Sequence, residues 1–449
     1  MTAATSPLPC LGGTWWHLPA RVRRGRAATA APGSRTAFVA LVSFTVILLL
    51  SPQAWVPALG VVRVALLAAG VAIAAHVAER SIRRQPAMPR SPEMGIAFAL
   101  VCWSVLTVPL SSWPGGSIQV LTEHYLKAVV FFWLLGAIIT TTDRLRVFAW
   151  TLVLCSIPLA ATGIGNYFWG DPLSTGVSGF YRTAGYTGGA GLTANPNDLA
   201  LMLNLIIPIA GVLVFVARGI PRAVAASALL LSVAAVVFTF SRAGFLTLAA
   251  SFVVFAAVLV RRKSPGSAVG LLLMALCVPP LLPDGYVARL GTIANIDADA
   301  TGSAQGRWQD TKVAVGVVAA NPVIGVGIGQ DILAMNAQRG DTWRRVHNAY
   351  LQYGVDLGIP GLLLFAWLHV RCFRTTRAVE QRAARSPAHH DLALLAVGVQ
   401  VSLVAFAVAA MFHPIAYQFY FFTIAGLAVA LGNTCRAEVP LAPHVRVAS

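Results

Sequence analysis

Arg182, Arg242 and Arg307, with Lys127 and His347, are the ionisable residues in this chain whose types can act together on a substrate. A guanidinium group offers a planar fork of donors to phosphate oxygens, and an ammonium group offers a point charge. An imidazole that is neutral near working pH can take a proton from a hydroxyl. The set therefore suits holding a phosphate or diphosphate and activating an alcohol beside it. Each member also has a plainer use. Lys127 follows Glu123 by four residues, so it can pair along a helix or snorkel to headgroups. A lone histidine is more often structural, and Arg63 reads as snorkelling. Arg289, Arg339, Arg344 and Arg345 read as ordinary loop charges. Arg242 is harder to dismiss, because it breaks an apolar run at Phe240-Ser241-Arg242-Ala243-Gly244. Ionisable groups at such places are expensive and mark function by default.

Three further patterns carry weaker signals. Asn195-Pro196-Asn197-Asp198 reads as a helix start, with asparagine as cap and proline in the first turn. The helix end it creates would favour an anion. Gly325, Gly327 and Gly329 form a GxGxG run that follows no strand of a βαβ unit, so it reads as turn chemistry rather than a nucleotide loop. Asp297 and Asp299 have the spacing of a carboxylate pair for a divalent ion, but a single short match in an acidic loop is weak, and no metal is expected.

The elements that must position these residues are membrane helices. Apolar side chains make up 57% of the 449 residues and charged ones 11%, with a mean hydropathy of +0.72. That excludes an ordinary soluble enzyme and a disordered chain. A span needs about 20 apolar residues. Twelve stretches qualify: 36–52, 56–78, 93–111, 122–141, 146–168, 196–217, 221–240, 243–260, 266–282, 357–373, 391–412 and 414–432. With both ends placed in the cytoplasm, 23 basic residues fall on the inner side and eight on the outer, as the positive-inside rule requires. The formal charge of +17 is then a topology signal rather than a nucleic-acid surface, and no nucleic-acid partner is expected. All of the candidate groups lie toward the outer face. None of the six cysteines falls in an outer loop, so no disulfide framework is expected. The expected fold is all-α and polytopic. A long outer loop, 282–346, lies between the ninth and tenth spans and reads as an ordered cap with a helix near 306–320.

Four pieces, in this order, resemble the O-antigen ligase and O-antigen polymerase superfamily of bacterial envelope enzymes. They are Arg182-Thr183-Ala184-Gly185 running to the Asn-Pro-Asn-Asp at 195–198; Phe240 to Gly244; Gly306-Arg307-Trp308 leading through 321–329; and His347-Asn348 followed by Leu351 and 357–365. The resemblance covers residues 36–432, leaving a flexible basic tail at 1–35 and a second cytoplasmic tail at 433–449. It implies transfer of a glycan from an undecaprenyl-diphosphate carrier to an acceptor hydroxyl, on the outer side of the bacterial inner membrane, without metal or cofactor. Carried over, it puts Arg242 and Arg307 at the diphosphate and His347 as the activating base. Arg182, Lys127, Asn195, Asn197 and Asn348 would support substrate binding. A ligase joins the glycan to a lipid core or another envelope component. A polymerase uses the same donor and extends a second lipid-linked unit. The ligase reading is taken first; transfer to protein, as in protein O-oligosaccharyltransferases, is the further enzymatic alternative. Transport of an anion or glycolipid is the other class, and the absence of matched halves with broken helices argues against it.

Overall fold

The computed structural model describes residues 33–54, 56, 58–170, 173–174, 181–185, 192–262, 282–283, 285–293, 302–340 and 343–439. Its helices in chain order are α1 (Arg35–Leu50), α2 (Ala58–Ile82), α3 (Pro92–Leu110), α4 (Pro114–Ile138), α5 (Thr142–Trp169), α6 (Pro196–Val216), α7 (Ile220–Phe238) and α8 (Arg242–Arg261). Then follow α9 (Tyr286–Gly291), α10 (Ser303–Ala320), α11 (Asp331–Arg339), α12 (Ala349–Ala383), α13 (Pro387–Ala409) and α14 (Phe419–Glu438). A two-residue antiparallel pairing, β1 (Leu173–Ser174) with β2 (Tyr181–Arg182), is the only β pairing among the described residues.

Nine of these helices, α2 to α8 with α12 and α13, are long and apolar enough to cross a membrane. The protein is therefore an all-helical polytopic membrane protein. Of the twelve expected stretches, the first coincides with α1, which has only 16 residues, and the last with α14. The ninth, 266–282, lies outside the described residues except for its last position. Two spans shift most. The fourth span begins at Pro114 rather than 122, because proline in the first turn starts the helix and a π-helical turn at Leu121–Tyr125 carries it past Glu123 and His124. The tenth runs from Ala349 to Ala383 and is broken at Gly358, whose φ of 69° is left-handed.

Local chemistry sets the starts. Ser34, Ser91, Thr141, Asn195, Ser241 and Asn348 each cap a helix with a side-chain oxygen. In α6 and α13, 78% of the apolar window is buried, against 6% for α2, so the first two form the centre and α2 the lipid-facing edge. The centre is filled by aromatic and aliphatic side chains, with Tyr353 stacked on Phe365 at 4.2 Å.

Within 282–346 the described residues form α9, α10 and α11. The expected helix near 306–320 is α10. Residues 321–329 join this stretch to the break in α12. Val326 and Gly327 donate their amides to the carbonyls of Val355 and Asp356 (both 2.9 Å), Gly329 donates to the Asp356 carboxylate (2.9 Å), and Ile359 donates back to the Pro322 carbonyl (2.7 Å). A Cβ on Gly327 would lie 2.0 Å from Ser111 Oγ, and one on Gly325 2.5 Å from the Asp356 backbone. The glycine run thus serves turn geometry and close approach, as the sequence indicates.

Candidate active site

The site begins at the junction of α7 and α8. Phe240 sits at φ 50°, a left-handed conformation uncommon outside glycine, and reverses the chain between two spans. Its ring packs edge-on to Tyr286 of α9 at 5.2 Å, which holds the reversal in place. Ser241 then caps α8 by accepting from the Gly244 amide at 3.1 Å. A Cβ on Gly244 would meet Ala200 at 2.8 Å, so the glycine lets α8 press against α6. Arg242 therefore stands in the first turn of α8. There it donates to Thr292 Oγ1 and Ser303 Oγ, both at 2.8 Å, the two residues that bracket 294–301. The helix dipole and the guanidinium charge at this helix end both favour an anion.

Asn197 is the hub of the site. Its side-chain oxygen accepts from Arg182 Nη2 at 2.9 Å and from Ser241 Oγ at 2.8 Å. Arg182 also donates Nε to the Thr239 carbonyl at 3.2 Å, which fixes the guanidinium plane across the α7–α8 junction. Burial, then the charges of Arg289, Arg307 and Arg242, bring the Arg182 pKa down to about 10. Three guanidinium groups from other segments thus act on Arg182 at one end of the bundle. Such a gathering of like charge is relieved by an anionic ligand.

His347 precedes α12, and its Nδ1 is buried with no hydrogen-bond partner among the described residues. Burial, then the charge of Arg307, holds this imidazole below its ordinary range, so it is neutral at pH 7. Asp331 fixes the approach to it. The buried carboxylate accepts from the Val346 amide at 3.1 Å and lies 3.7 Å from Arg345. Asp310, also buried, pairs with Arg339 and lies 3.7 Å from Arg344. The loop between α13 and α14 brings in His413. Its ring contacts the Ala409 carbonyl at 2.8 Å and the Asn197 carbonyl at 3.3 Å. Burial chiefly brings His413 to a pKa of about 4, and Arg307 and His347 are among the charges acting on it. The loop is strapped to α12 by Tyr353, which donates to the Ala416 carbonyl at 2.6 Å, and by Ala349, which donates to the Ala410 carbonyl at 2.7 Å.

The structure thus brings together Arg182, Arg242, Arg307, His347 and Asn197. Asn195 and Asn348 stand beside them as caps, of α6 through the amides of Asn197 and Asp198 and of α12 through Leu351. Lys127 is not among the groups that act on Arg182. It is exposed on α4, beside His124, and makes no ion pair with Glu123. Asp297 and Asp299 lie outside the described residues. Two residues read as ordinary loop charges are not: Arg289 is 8% exposed on α9 and acts on Arg182, and Arg339 ends α11 paired to the buried Asp310. His413 was missed. Its only sequence signal is its place between two spans on the side that carries His347.

Residues 227–366 match the family model described as O-antigen ligase. The matched segment runs from within α7 through the first half of α12, so it holds Arg242, Arg289, Arg307, His347 and Asn348. Arg182, Asn195, Asn197 and His413 are supplied from outside it. No curated protein matches the chain. Among solved structures, one chain from "Structural coordination of polymerization and crosslinking by a peptidoglycan synthase complex" is 18% identical, with 76% of this chain and 96% of that chain covered and a TM-score of 0.42.

Proposed function

We propose that this protein is an O-antigen ligase-like glycosyltransferase of the bacterial inner membrane. It takes a glycan from an undecaprenyl-diphosphate carrier and joins it to an acceptor hydroxyl on the outer face, with both termini cytoplasmic. The observation that carries this reading is the convergence of Arg182, Arg242, Arg289 and Arg307 on the side of the bundle that holds His347. The O-antigen ligase match over 227–366 supports the substrate class.

The chemistry needs little else. Arg242 and Arg307 hold the diphosphate, and Arg182, fixed by Asn197, and Arg289 strengthen the field. Diphosphate is a good leaving group, so the main task is to stabilise charge on its oxygens, which preorganised guanidinium groups do. His347 takes the acceptor proton as the new glycosidic bond forms and the bond to the diphosphate breaks. The proposed reaction uses no metal and no cofactor. In this reading residues 36–432 form the catalytic domain, and 282–346 its outer cap.

The test is reconstitution of the purified protein with a lipid-linked glycan and candidate acceptors in the presence of chelator. Product on a separate acceptor supports ligase action, and a longer lipid-linked chain makes the protein a polymerase. Arg242→Ala and Arg307→Ala should each lower turnover about 100-fold or more while the proteins still insert in the membrane. Full activity of either variant overturns the diphosphate assignment, and a strict divalent-cation requirement overturns the metal-free reaction.

A further inference from the structure

A second site lies at the opposite end of the bundle. Between α6, α8, α12 and α13 there is a cavity of about 710 Å³. This is within the range of about 300–1,000 Å³ typical of small-molecule sites. Arg261 ends α8, which begins at Arg242, so 20 helical residues separate this cavity from the arginine cluster. At 1.5 Å per residue that is about 30 Å, the thickness of the hydrocarbon core. The cavity therefore faces the other leaflet and is no part of the site described above.

Its chemistry is of two kinds. The walls are apolar, with Val212, Phe215, Phe255, Val258, Phe373 and Val397. The other lining is basic and only partly neutralised. Arg262 pairs with Glu380 at 3.1 Å, and the second oxygen of Glu380 accepts from Gln400 at 2.9 Å, so both oxygens of that carboxylate are engaged. Arg262 Nε remains buried with no acceptor among the described residues. Arg261 and Arg377 are exposed and lie in the lining, and neither pairs with a carboxylate among the described residues. The site thus offers two unneutralised positive charges and one open donor beside an aliphatic and aromatic slot.

We propose that this cavity binds an anionic phospholipid, with the phosphate at Arg261, Arg262 and Arg377 and an acyl chain along the Val and Phe walls. Charge complementarity selects this occupant. A zwitterionic lipid leaves the two arginines uncompensated, and a free anion makes no use of the apolar walls.

The full-length protein, delipidated in neutral detergent, is titrated with phosphatidylglycerol and separately with phosphatidylcholine, and bound lipid is counted by native mass spectrometry. One phosphatidylglycerol is expected to be retained in strong preference to phosphatidylcholine. A basic residue near an anionic surface is worth about fivefold in affinity. Arg261→Gln with Arg377→Gln should therefore weaken phosphatidylglycerol about 25-fold. Both side chains are exposed, and the hydrogen bond Arg261 makes runs to Ala257 within its own helix, so folding is kept. Val258→Trp, which fills the slot, should lower retention as well; should it fail to fold, the charge variant alone decides. Equal binding of the two lipids, a change under twofold in the charge variant, or displacement of the lipid by millimolar inorganic phosphate each overturns the proposal. The last outcome would make the cavity a free-anion site.

Discussion

Asn197→Ala is the sharpest perturbation of the arginine site, because one side-chain oxygen holds two partners. It removes the acceptor of Arg182 Nη2 at 2.9 Å and of Ser241 Oγ at 2.8 Å. Ser241 keeps its bond to the Gly244 amide, so the α8 cap survives. Of its bonds to Asn197 and Thr239, Arg182 keeps only the one to the Thr239 carbonyl, and its guanidinium can swing about that anchor. A hydrogen bond to a charged group contributes about 1.5–3 kcal/mol. If Arg182 meets the donor diphosphate in the orientation Asn197 fixes, that loss reappears in the transition state as a roughly 10- to 150-fold fall in kcat/KM. Asn197→Asp supplies the contrast. It keeps an acceptor for Arg182 but cancels one positive charge, so donor KM should rise while kcat falls less than in the alanine variant. The assay is glycan transfer in proteoliposomes with kcat and KM resolved, and a thermal melt shows that each variant is folded at the assay temperature. A kcat/KM within twofold of the parent for Asn197→Ala, or an unchanged donor KM for Asn197→Asp, would refute the claim that Asn197 orients a phosphate-binding arginine.

Other expectations concern the base, its support and the cap. His347→Ala should lower kcat by about 10²–10⁴ with donor affinity nearly kept. Because burial and Arg307 hold His347 below its ordinary 6.5, the imidazole stays neutral as pH falls through that value. The acid limb of kcat/KM should then lie below pH 6.5, and a limb at or above it would remove His347 as the base. Asp331→Ala should reduce kcat by releasing Val346, one residue before His347, with Asp331→Asn restoring much of it through the amide oxygen; equal losses in the two would make Asp331 merely structural. Gly358→Ala places a Cβ 2.3 Å from the Val323 carbonyl oxygen at φ 69°, so it should lower stability by about 1–3 kcal/mol or more, read as a fall in Tm.

Much of the fold was legible because apolar length is a local property. Arg35–Leu50 and the helices after it fall on expected stretches, and α10 lies where the cap helix was expected. Residues that act in a single turn were also legible. Asn195 caps α6 because an asparagine before proline can do nothing more favourable there. The start of α4 was misplaced, since Glu123 and His124 look like a boundary when the π-helical turn that carries them is not visible in composition. Arg289 looked like any loop charge, because nothing in its neighbours records that α9 packs under Phe240 and buries it.

The division follows from range. Sequence alone determined that this chain is a membrane protein and where most of its described helices run, and it singled out Arg182, Arg242, Arg307 and His347 for test; charge, length and capping are read over a few turns. Only the tertiary structure decided that Asn197 ties Arg182 to Ser241, that Asp331 holds the stretch of chain before His347, and that His413 and Arg289 join the group. Those contacts join residues from 15 to 216 positions apart, and packing between helices sets them.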